Sequence, residues 1–408
     1  MIIGQFFEGA MNQMEGLVLV LPLLGMIACT STNLDAVSKM PTVDELPDIR
    51  KLPDPFLMNN GKRVKSKADW TKRRKEIKAM MLYYQYGHMP PAPKNVTAKV
   101  LSTETVYDES ATKMHVLLSM GPGRKIKVNV GIIIPIGRGK FPVILKNDSD
   151  IFKVSIAEEI VKRGYIVADY NRTDLAPDRK ATVGSAQTAY PDYDWATLAV
   201  WAWGGMRVID YLLTLDVVDR KRIAFTGHSR GGKTALLAGA LDDRIALVAP
   251  NGSGCGGAGC YRYEGKNAET LENITQPRRF SYWFHPRFRD FADKETKLPF
   301  DQHFLKALVA PRALISVDAL GDLWANPYGT QQSHRGAKPV FDFLCAGDKL
   351  GIYYRKGGHS QNKDDWRTLV DFADKIFFAK VPDSGKRFDK LPFRDAPEPF
   401  SWSTPKGK

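Results

Sequence analysis

Short apolar runs recur along residues 120 to 380, and stretches with helical spacing separate them. The runs expected to form buried strands are residues 126–135, 141–145, 164–170, 223–225, 245–250, 313–317 and 352–354. Helices are predicted between them, near residues 154–163, 194–214, 233–240 and 366–378. Strands that alternate with helices predict an α/β fold, in which a mostly parallel sheet carries helices on both faces.

Three further regions frame this pattern. Residues 65–86 carry apolar side chains at helical spacing and predict a basic helix that packs on the sheet, although such a helix can also lie on a membrane. Residues 95–134 are rich in strand formers. Residues 251–300 are aromatic without a clear period, and we expect them to form a wall over the carboxyl ends of the strands.

One strand runs directly into a serine motif. Gly227, Ser229 and Gly231 satisfy G-x-S-x-G between the strand at 223–225 and the helix that begins near Lys233. This is the pattern of a nucleophile elbow, where glycines permit a strained turn that exposes the serine hydroxyl. Ser229 is therefore the candidate nucleophile, and the backbone N–H of Arg230 is a candidate donor to an oxyanion.

A serine nucleophile needs a base, and the base needs a carboxylate that orients it. His359 follows the last predicted strand, where the chain order serine, acid, histidine places the base. The preceding strand runs into Asp318 and Asp322, and both remain candidates for the acid. We favour Asp322, because it lies in the loop, whereas Asp318 continues the strand.

The amino-terminal segment has the features of an export signal. An apolar run of 13 residues at 16–28 is too short to span a bilayer and precedes Cys29, in a context that resembles a bacterial lipobox. We predict a signal at 1–29, a linker at 30–60, a catalytic domain at 61–385 and a tail at 386–408. The protein is then exported, and either tethered by a lipid on Cys29 in the periplasm or at the outer membrane, or secreted.

The segment before this run departs from the usual pattern, because it carries Glu8 and Glu15 and no lysine or arginine. Three alternatives are therefore open: a start at Met14, cleavage by ordinary signal peptidase, or an apolar segment that is buried in the fold.

Charge and cysteine content narrow the choice of partners. The net charge of +14 favours an acidic partner, such as a polyanionic polysaccharide or an anionic membrane. Nucleic acid is not expected, because the basic residues are dispersed and no zinc-finger spacing occurs. Beyond Cys29, only Cys255, Cys260 and Cys345 remain, which is few for a disulfide scaffold, and their pairing is open.

Several motifs together resemble one enzyme family. G-H-S-R-G-G-K at 227–233 resembles the G-C-S-R-x-G-K signature of the glucuronoyl esterases, carbohydrate esterase family 15. The likeness extends to W-T-K-R-R-K-E-I at 70–77, S-G-C-G-G-A-G-C at 253–260 and D-L-W-A-N-P at 322–327. The resemblance implies an α/β-hydrolase fold, a three-layer sandwich with a mostly parallel sheet. It also implies cleavage of esters between (4-O-methyl-)glucuronic acid of glucuronoxylan and lignin alcohols, without metal or cofactor, by what we expect to be a monomer.

The resemblance also assigns roles to residues. It implies Ser229 as nucleophile, His359 as base and Arg230 as oxyanion support through its backbone and side chain. The substrate-binding positions that it implies are Lys233 and Glu269, which would bind sugar hydroxyls, and Trp324, which would pack on the sugar ring.

The chain departs from the family pattern at three positions. Gly252 stands where many members carry the catalytic glutamate, and Asp322 matches the version in which the acid follows the penultimate strand. His228 and Ser360 replace a cysteine pair found in some members. Two rival functions remain open: an esterase for acetyl xylan or another uronate, and a weakly active glycan-binding lipoprotein.

Overall fold

A mixed sheet of nine strands organises the residues that this computed structural model describes, which are 40–180, 182–382 and 384–405. The strands are β1 (Thr97–Val106), β2 (Ala111–Met120), β3 (Ile126–Pro135), β4 (Phe141–Asp148), β5 (Ile166–Asn171), β6 (Val218–His228), β7 (Leu247–Asn251), β8 (Ala313–Ala319) and β9 (Leu350–Arg355). Their order in the sheet is β1-β2-β3-β5-β4-β6-β7-β8-β9. Each strand predicted from residue 126 onward is present, with ends that differ by a few residues.

The α-helices among these residues are α1 (Lys67–Met81), α2 (Ala157–Lys162), α3 (Ser185–Ala189), α4 (Thr197–Leu212), α5 (Arg230–Leu241), α6 (Leu271–Thr275), α7 (Gln302–Ala307), α8 (Pro327–Phe343) and α9 (Lys363–Phe378). A π-helical turn, Leu82–Tyr86, extends α1 as far as Gly87. The helix predicted at 65–86 therefore corresponds to α1 and this turn, and Trp70 and Ile77 bury its apolar face.

Strand direction brings the candidate site together. The first three strands are antiparallel to their neighbours, whereas β5, β4, β6, β7, β8 and β9 run parallel to one another. The carboxyl ends of parallel strands meet at one edge of a sheet, where α/β proteins place their ligands. The loops after β4, β6, β7, β8 and β9 are therefore neighbours.

Two apolar layers pack on the faces of this sheet. Trp201 of α4 and Leu236 of α5 are fully buried on one face. Ile160 of α2 and Phe372 of α9 are fully buried on the other. The predicted three-layer arrangement of helices around a mostly parallel sheet is confirmed.

Helix α8 is the largest element that the apolar pattern does not predict. Pro327 occupies its first position, where a proline is tolerated, but Pro339 lies inside it and removes a hydrogen bond. Its buried face includes the polar side chains of Gln331 and Gln332, whose amides donate to the backbone carbonyls of Phe393 and Pro397. The two prolines indicate helix boundaries and part of the buried face is polar, so this helix is not among the predicted elements, although its side chains do separate onto two faces.

Both ends of the described chain pack on the domain. Leu46, Leu52 and Phe56, within the predicted linker, are buried in the core. The indole N–H of Trp402, within the predicted tail, donates to the carbonyl of Leu52 at 3.1 Å. The predicted signal at 1–29 and residues 30–39 lie outside the described residues, and the domain boundaries remain predictions. None of the helices described here is long and apolar enough to cross a membrane.

His303 of α7 ties the segment before α1 to the domain. Its side chain is fully buried, and Nε2 lies 2.8 Å from the carbonyl oxygen of Pro53, to which it donates. Burial lowers the pKa of His303 to about 3. The imidazole thus stays neutral in the folded chain over a pH range in which an unfolded histidine, with a pKa of about 6.5, takes up a proton.

Because the unfolded state binds this proton and the folded state does not, the free energy of unfolding should fall as pH decreases from about 6.5 towards 3. We predict that His303→Gln, whose amide can still donate to Pro53, reduces the slope of this free energy near pH 5 by about 1.4 kcal/mol per pH unit. Urea denaturation followed by tryptophan fluorescence measures the slope. His115→Gln, at a half-exposed histidine, is the matched control, and an unchanged slope in His303→Gln contradicts the prediction.

Candidate active site

The serine lies in a sharp turn between β6 and α5. Ser229 has φ 55° and ψ −120°, a conformation that is costly for a residue with a side chain and that clusters at functional sites. Its N–H donates to the carbonyl of Asn251 at 2.9 Å, which fixes the turn against the end of β7. A Cβ at Gly227 would lie 2.4 Å from the carbonyl oxygen of Gly231, so only glycine fits there. The context predicted for the elbow is present: a strand is followed by a tight turn and then by a helix.

Arg230 is the first residue of α5, so its N–H has no acceptor within the helix. Its guanidinium donates to Asp178 at 2.8 Å and lies 4.8 Å from the centre of the Trp283 ring. Asp178 also accepts from the indole N–H of Trp283 at 3.0 Å and from the hydroxyl of Tyr282 at 2.9 Å. Asp178 thus holds Arg230 beside the serine, a role that no sequence pattern indicates.

The histidine and one of the two candidate acids are in contact. Nδ1 of His359 lies 2.6 Å from Oδ2 of Asp322, and the Asp322 side chain is 5% exposed. A buried carboxylate accepts from Nδ1–H, which leaves Nε2 as the lone-pair nitrogen that faces a substrate. An imidazole held in this tautomer can take a proton from a serine and carry the positive charge that results.

The second candidate acid has a different environment. Asp318 lies in β8 and is 2% exposed, and among the described residues neither of its carboxylate oxygens has a hydrogen-bond partner. Burial raises the pKa of Asp318. The geometry therefore favours Asp322 as the partner of His359.

Ser229 and His359 line two cavities in common. Among the described residues, the structure records no hydrogen bond between the Ser229 hydroxyl and the His359 ring. Such contacts are often long in free enzymes and shorten when substrate binds.

A second histidine packs against His359. The rings of His228 and His359 lie 4.4 Å apart at an angle of 45°. Nδ1 of His228 lies 2.6 Å from Oδ1 of Asn251, whose amide nitrogen donates to the carbonyl of Val317, so His228 is the donor to Asn251. Burial, and to a lesser degree the neighbouring His359, lower the pKa of His228 to about 4, which keeps its ring neutral at pH 7.

Gly252 lies beside this pair of rings. It has φ +49°, and a Cβ there would lie 3.1 Å from Cε1 of His228 and 3.5 Å from Oδ2 of Asp322. The backbone and the crowding both disfavour a side chain at 252. Sequence analysis placed His228 where some family members carry a cysteine but did not indicate the ring contact, because that contact joins the end of β6 to the loop after β9.

The first shared cavity, which we call the aromatic cavity, has a volume of about 210 Å³. Its walls include the three substrate-binding residues implied by the resemblance and two further aromatic residues, which together are Lys233, Glu269, Trp324, Phe280 and Trp283. Trp324 is 39% exposed and is therefore available to pack on a ligand.

Lys233 is 3% exposed, and its ammonium donates to Glu269 at 3.0 Å and to the carbonyls of Ser253 and Cys255. All three N–H bonds of Lys233 are thus engaged by the protein, whereas the resemblance gives them to sugar hydroxyls. The ammonium holds Glu269 in place at the cavity wall.

The described residues contain neither a metal site nor a disulfide bond. Within the described residues, no three His, Cys, Asp or Glu side chains cluster as a metal site, and Cys255, Cys260 and Cys345 are unpaired.

Comparisons with known proteins all point to one family. A family model described as "Glucuronyl esterase, fungi" matches residues 119–345. A carbohydrate esterase from an unknown prokaryotic organism is 31% identical over 387 residues, covering 79% of this chain and 89% of that protein. A 4-O-methyl-glucuronoyl methylesterase of Podospora anserina is 33% identical over 325 residues, covering 77% of this chain and 64% of that protein.

A solved structure gives the same result. The glucuronoyl esterase of carbohydrate esterase family 15 from Caldicellulosiruptor kristjansonii is 30% identical, with a TM-score of 0.74 over 89% of this chain and 99% of that chain. The family resemblance and the α/β-hydrolase fold are confirmed. The chain belongs to the glucuronoyl esterases of carbohydrate esterase family 15.

Proposed function

We propose that the protein is a serine carboxylic-ester hydrolase that cleaves (4-O-methyl-)glucuronoyl esters. The observation that carries this proposal is the 2.6 Å contact between His359 and the buried Asp322, beside a serine in the elbow turn. The names of the relatives in the family, 4-O-methyl-glucuronoyl methylesterases among them, support the substrate.

The reaction proceeds through an acyl-enzyme. The Ser229 oxygen attacks the ester carbonyl while Nε2 of His359 takes its proton, and Asp322 stabilises the imidazolium. The backbone N–H of Arg230 and its guanidinium stabilise the oxyanion. The C–O bond to the alcohol then breaks, His359 returns the proton to the leaving oxygen, and water releases glucuronic acid by the same sequence.

The aromatic cavity takes the glucuronoyl group in this proposal. The exposed face of Trp324 offers an apolar surface to the C–H bonds of a sugar ring. Glu269 is held by Lys233 through one carboxylate oxygen, so its other oxygen is left to accept from sugar hydroxyls. Lys233 then acts on the sugar by positioning Glu269.

Gly252, which stands where many members carry the catalytic glutamate, favours the alternative of a glycan-binding protein with little activity. The carboxylate of Asp322 beside His359 supports catalysis instead. The other alternative is an acetyl xylan esterase that uses the same catalytic residues. Comparing the hydrolysis of methyl glucuronate with that of acetylated xylan distinguishes it from the proposed function.

Ser229→Ala should abolish hydrolysis of benzyl glucuronate, with a loss in kcat of at least about 10⁴-fold, because the nucleophile is removed. A fluorophosphonate should label wild-type protein at Ser229 and leave the variant unlabelled. Retention of most activity in the variant would refute the proposed mechanism.

Asp322→Asn should reduce kcat by on the order of 10³ to 10⁴, since the amide cannot hold His359 in the required tautomer. Asp318→Asn is the matched control, an equally small change at the other candidate acid, and it should leave kcat within about tenfold of wild type. If the two variants exchange these outcomes, Asp318 is the acid.

We also propose that the protein is exported and tethered by a lipid on Cys29. The apolar run at 16–28 and the small residue before the cysteine support this. Expression in bacteria with radiolabelled palmitate should label the wild type and leave Cys29→Ser unlabelled. Equal labelling, or none in either protein, contradicts the tether.

A further inference from the structure

The ring of His359 needs more than its contact with Asp322 to be fixed. The backbone around it is held by Arg355, whose guanidinium donates to three backbone carbonyls between residues 356 and 360. The His359 side chain itself is 42% exposed, and within the described part of the chain its ring has one hydrogen bond, to Asp322. A hydrogen bond at Nδ1 fixes that atom but tolerates a range of angles, so the ring can still turn about this contact.

The ring of His228 supplies a second contact. It lies 4.4 Å from the ring of His359, centre to centre, at an angle of 45°. Two rings at this distance are packed against each other, and the packing opposes rotation of either one. Asp322 and His228 therefore restrain different motions of His359, the first at one ring atom and the second over the face of the ring.

His228 is itself held by the sheet. It is the last residue of β6 and pairs with Asn251, the last residue of β7. Its Nδ1 donates to Oδ1 of Asn251 at 2.6 Å, and the amide nitrogen of Asn251 donates to the carbonyl of Val317 in β8 at 3.1 Å. Asn251 is 3% exposed. Three neighbouring strands thus fix the ring of His228, which makes it a rigid support for a ring in a loop.

The charge state of His228 suits this contact. Burial, and to a lesser degree the neighbouring His359, lower the pKa of His228 to about 4, so its ring is neutral at pH 7. In the reaction His359 takes up a proton and becomes positively charged. A neutral ring beside it does not oppose that step, whereas a second cation would.

Gly252 leaves the room that the contact needs. A Cβ at this position would lie 3.1 Å from Cε1 of His228, closer than carbon atoms normally pack. A side chain at 252 would therefore displace His228 from Asn251 or from His359. Resting on the proposed function, in which His359 is the base, we propose that His228 is a positioning residue that holds the His359 ring in the plane in which Nε2 reaches the serine.

His228→Ala removes the supporting ring. It should lower kcat for benzyl glucuronate by roughly 5- to 10-fold, within the range that a packed pair of rings contributes, and leave KM within about twofold of wild type. His228→Phe keeps a ring against His359 and should retain kcat within about twofold of wild type. His115→Ala is the matched control, because His115 also contacts an asparagine oxygen, at 2.8 Å, but lies in β2. It should change neither constant.

The Nδ1 proton of His359 reports on the ring without any substrate. In His228→Ala its NMR resonance should persist but exchange faster with water, because the ring turns more freely about its bond to Asp322. His359→Gln identifies the resonance by removing it. An unchanged exchange rate in His228→Ala overturns the positioning role.

His228 also adjoins Ser229, and a second background separates the two residues. In His359→Ala no imidazole is left to position, and the residual hydrolysis comes from oxyanion support and substrate binding. Adding His228→Ala should then leave the residual kcat unchanged, because the two substitutions act on one element.

A further loss of kcat in that background, equal losses in His228→Ala and His228→Phe, or full kcat in His228→Ala overturns the positioning role and leaves the proposed function standing. If the wild type hydrolyses no glucuronoyl ester, the proposed function fails. The exchange rate of the Nδ1 proton in His228→Ala still decides whether His228 holds the ring.

Discussion

The contact between Nδ1 of His359 and Oδ2 of Asp322 is the interaction on which the chemistry of this site depends. Neither residue lies in a strand, yet the pairing of β8 with β9 sets their spacing. The hydrogen bonding continues beyond the strands, from the N–H of Leu320 to the carbonyl of Arg355 and from the N–H of Gly321 to the carbonyl of Gly357, at 2.9 Å each. The two loops are thereby joined up to the residues that carry the acid and the base.

Packing explains why the chain has glycine at 252 and a carboxylate at 322. Positions 252 and 322 follow neighbouring strands and reach the same space beside His359, because a Cβ at Gly252 would lie 3.5 Å from the Asp322 carboxylate. The ring of His228 fills the remaining volume and is fixed by Asn251. An acid supplied from the β8 loop and a histidine before the serine are therefore compatible with glycine at 252.

The elements that short stretches of sequence determine, namely the elbow turn and the strands, were predicted from the sequence. The elbow follows from glycines around Ser229, and the strands follow from short apolar runs, so both could be found from the sequence. Helix α8 was not predicted, because Pro327 and Pro339 indicate breaks and part of its buried face is polar. The choice between Asp318 and Asp322 depended on where β8 ends, and the strand extends to Ala319 and so includes Asp318.

Long-range contacts account for the rest of what the sequence could not predict. Three such contacts join residues 36 to 131 positions apart: the ring contact of His228 with His359, the ion pair of Lys233 with Glu269 and the ion pair of Asp178 with Arg230. No periodicity marks such contacts.

Proton NMR of the His359 ring tests the central interaction most directly. A short, charge-assisted hydrogen bond from Nδ1–H to a buried carboxylate moves this proton far downfield of the amide region and slows its exchange with water. Wild-type protein should show one such resonance, and the resonance should be missing from Asp322→Asn and His359→Gln. A resonance that survives in Asp322→Asn would contradict the pairing of the histidine with this aspartate.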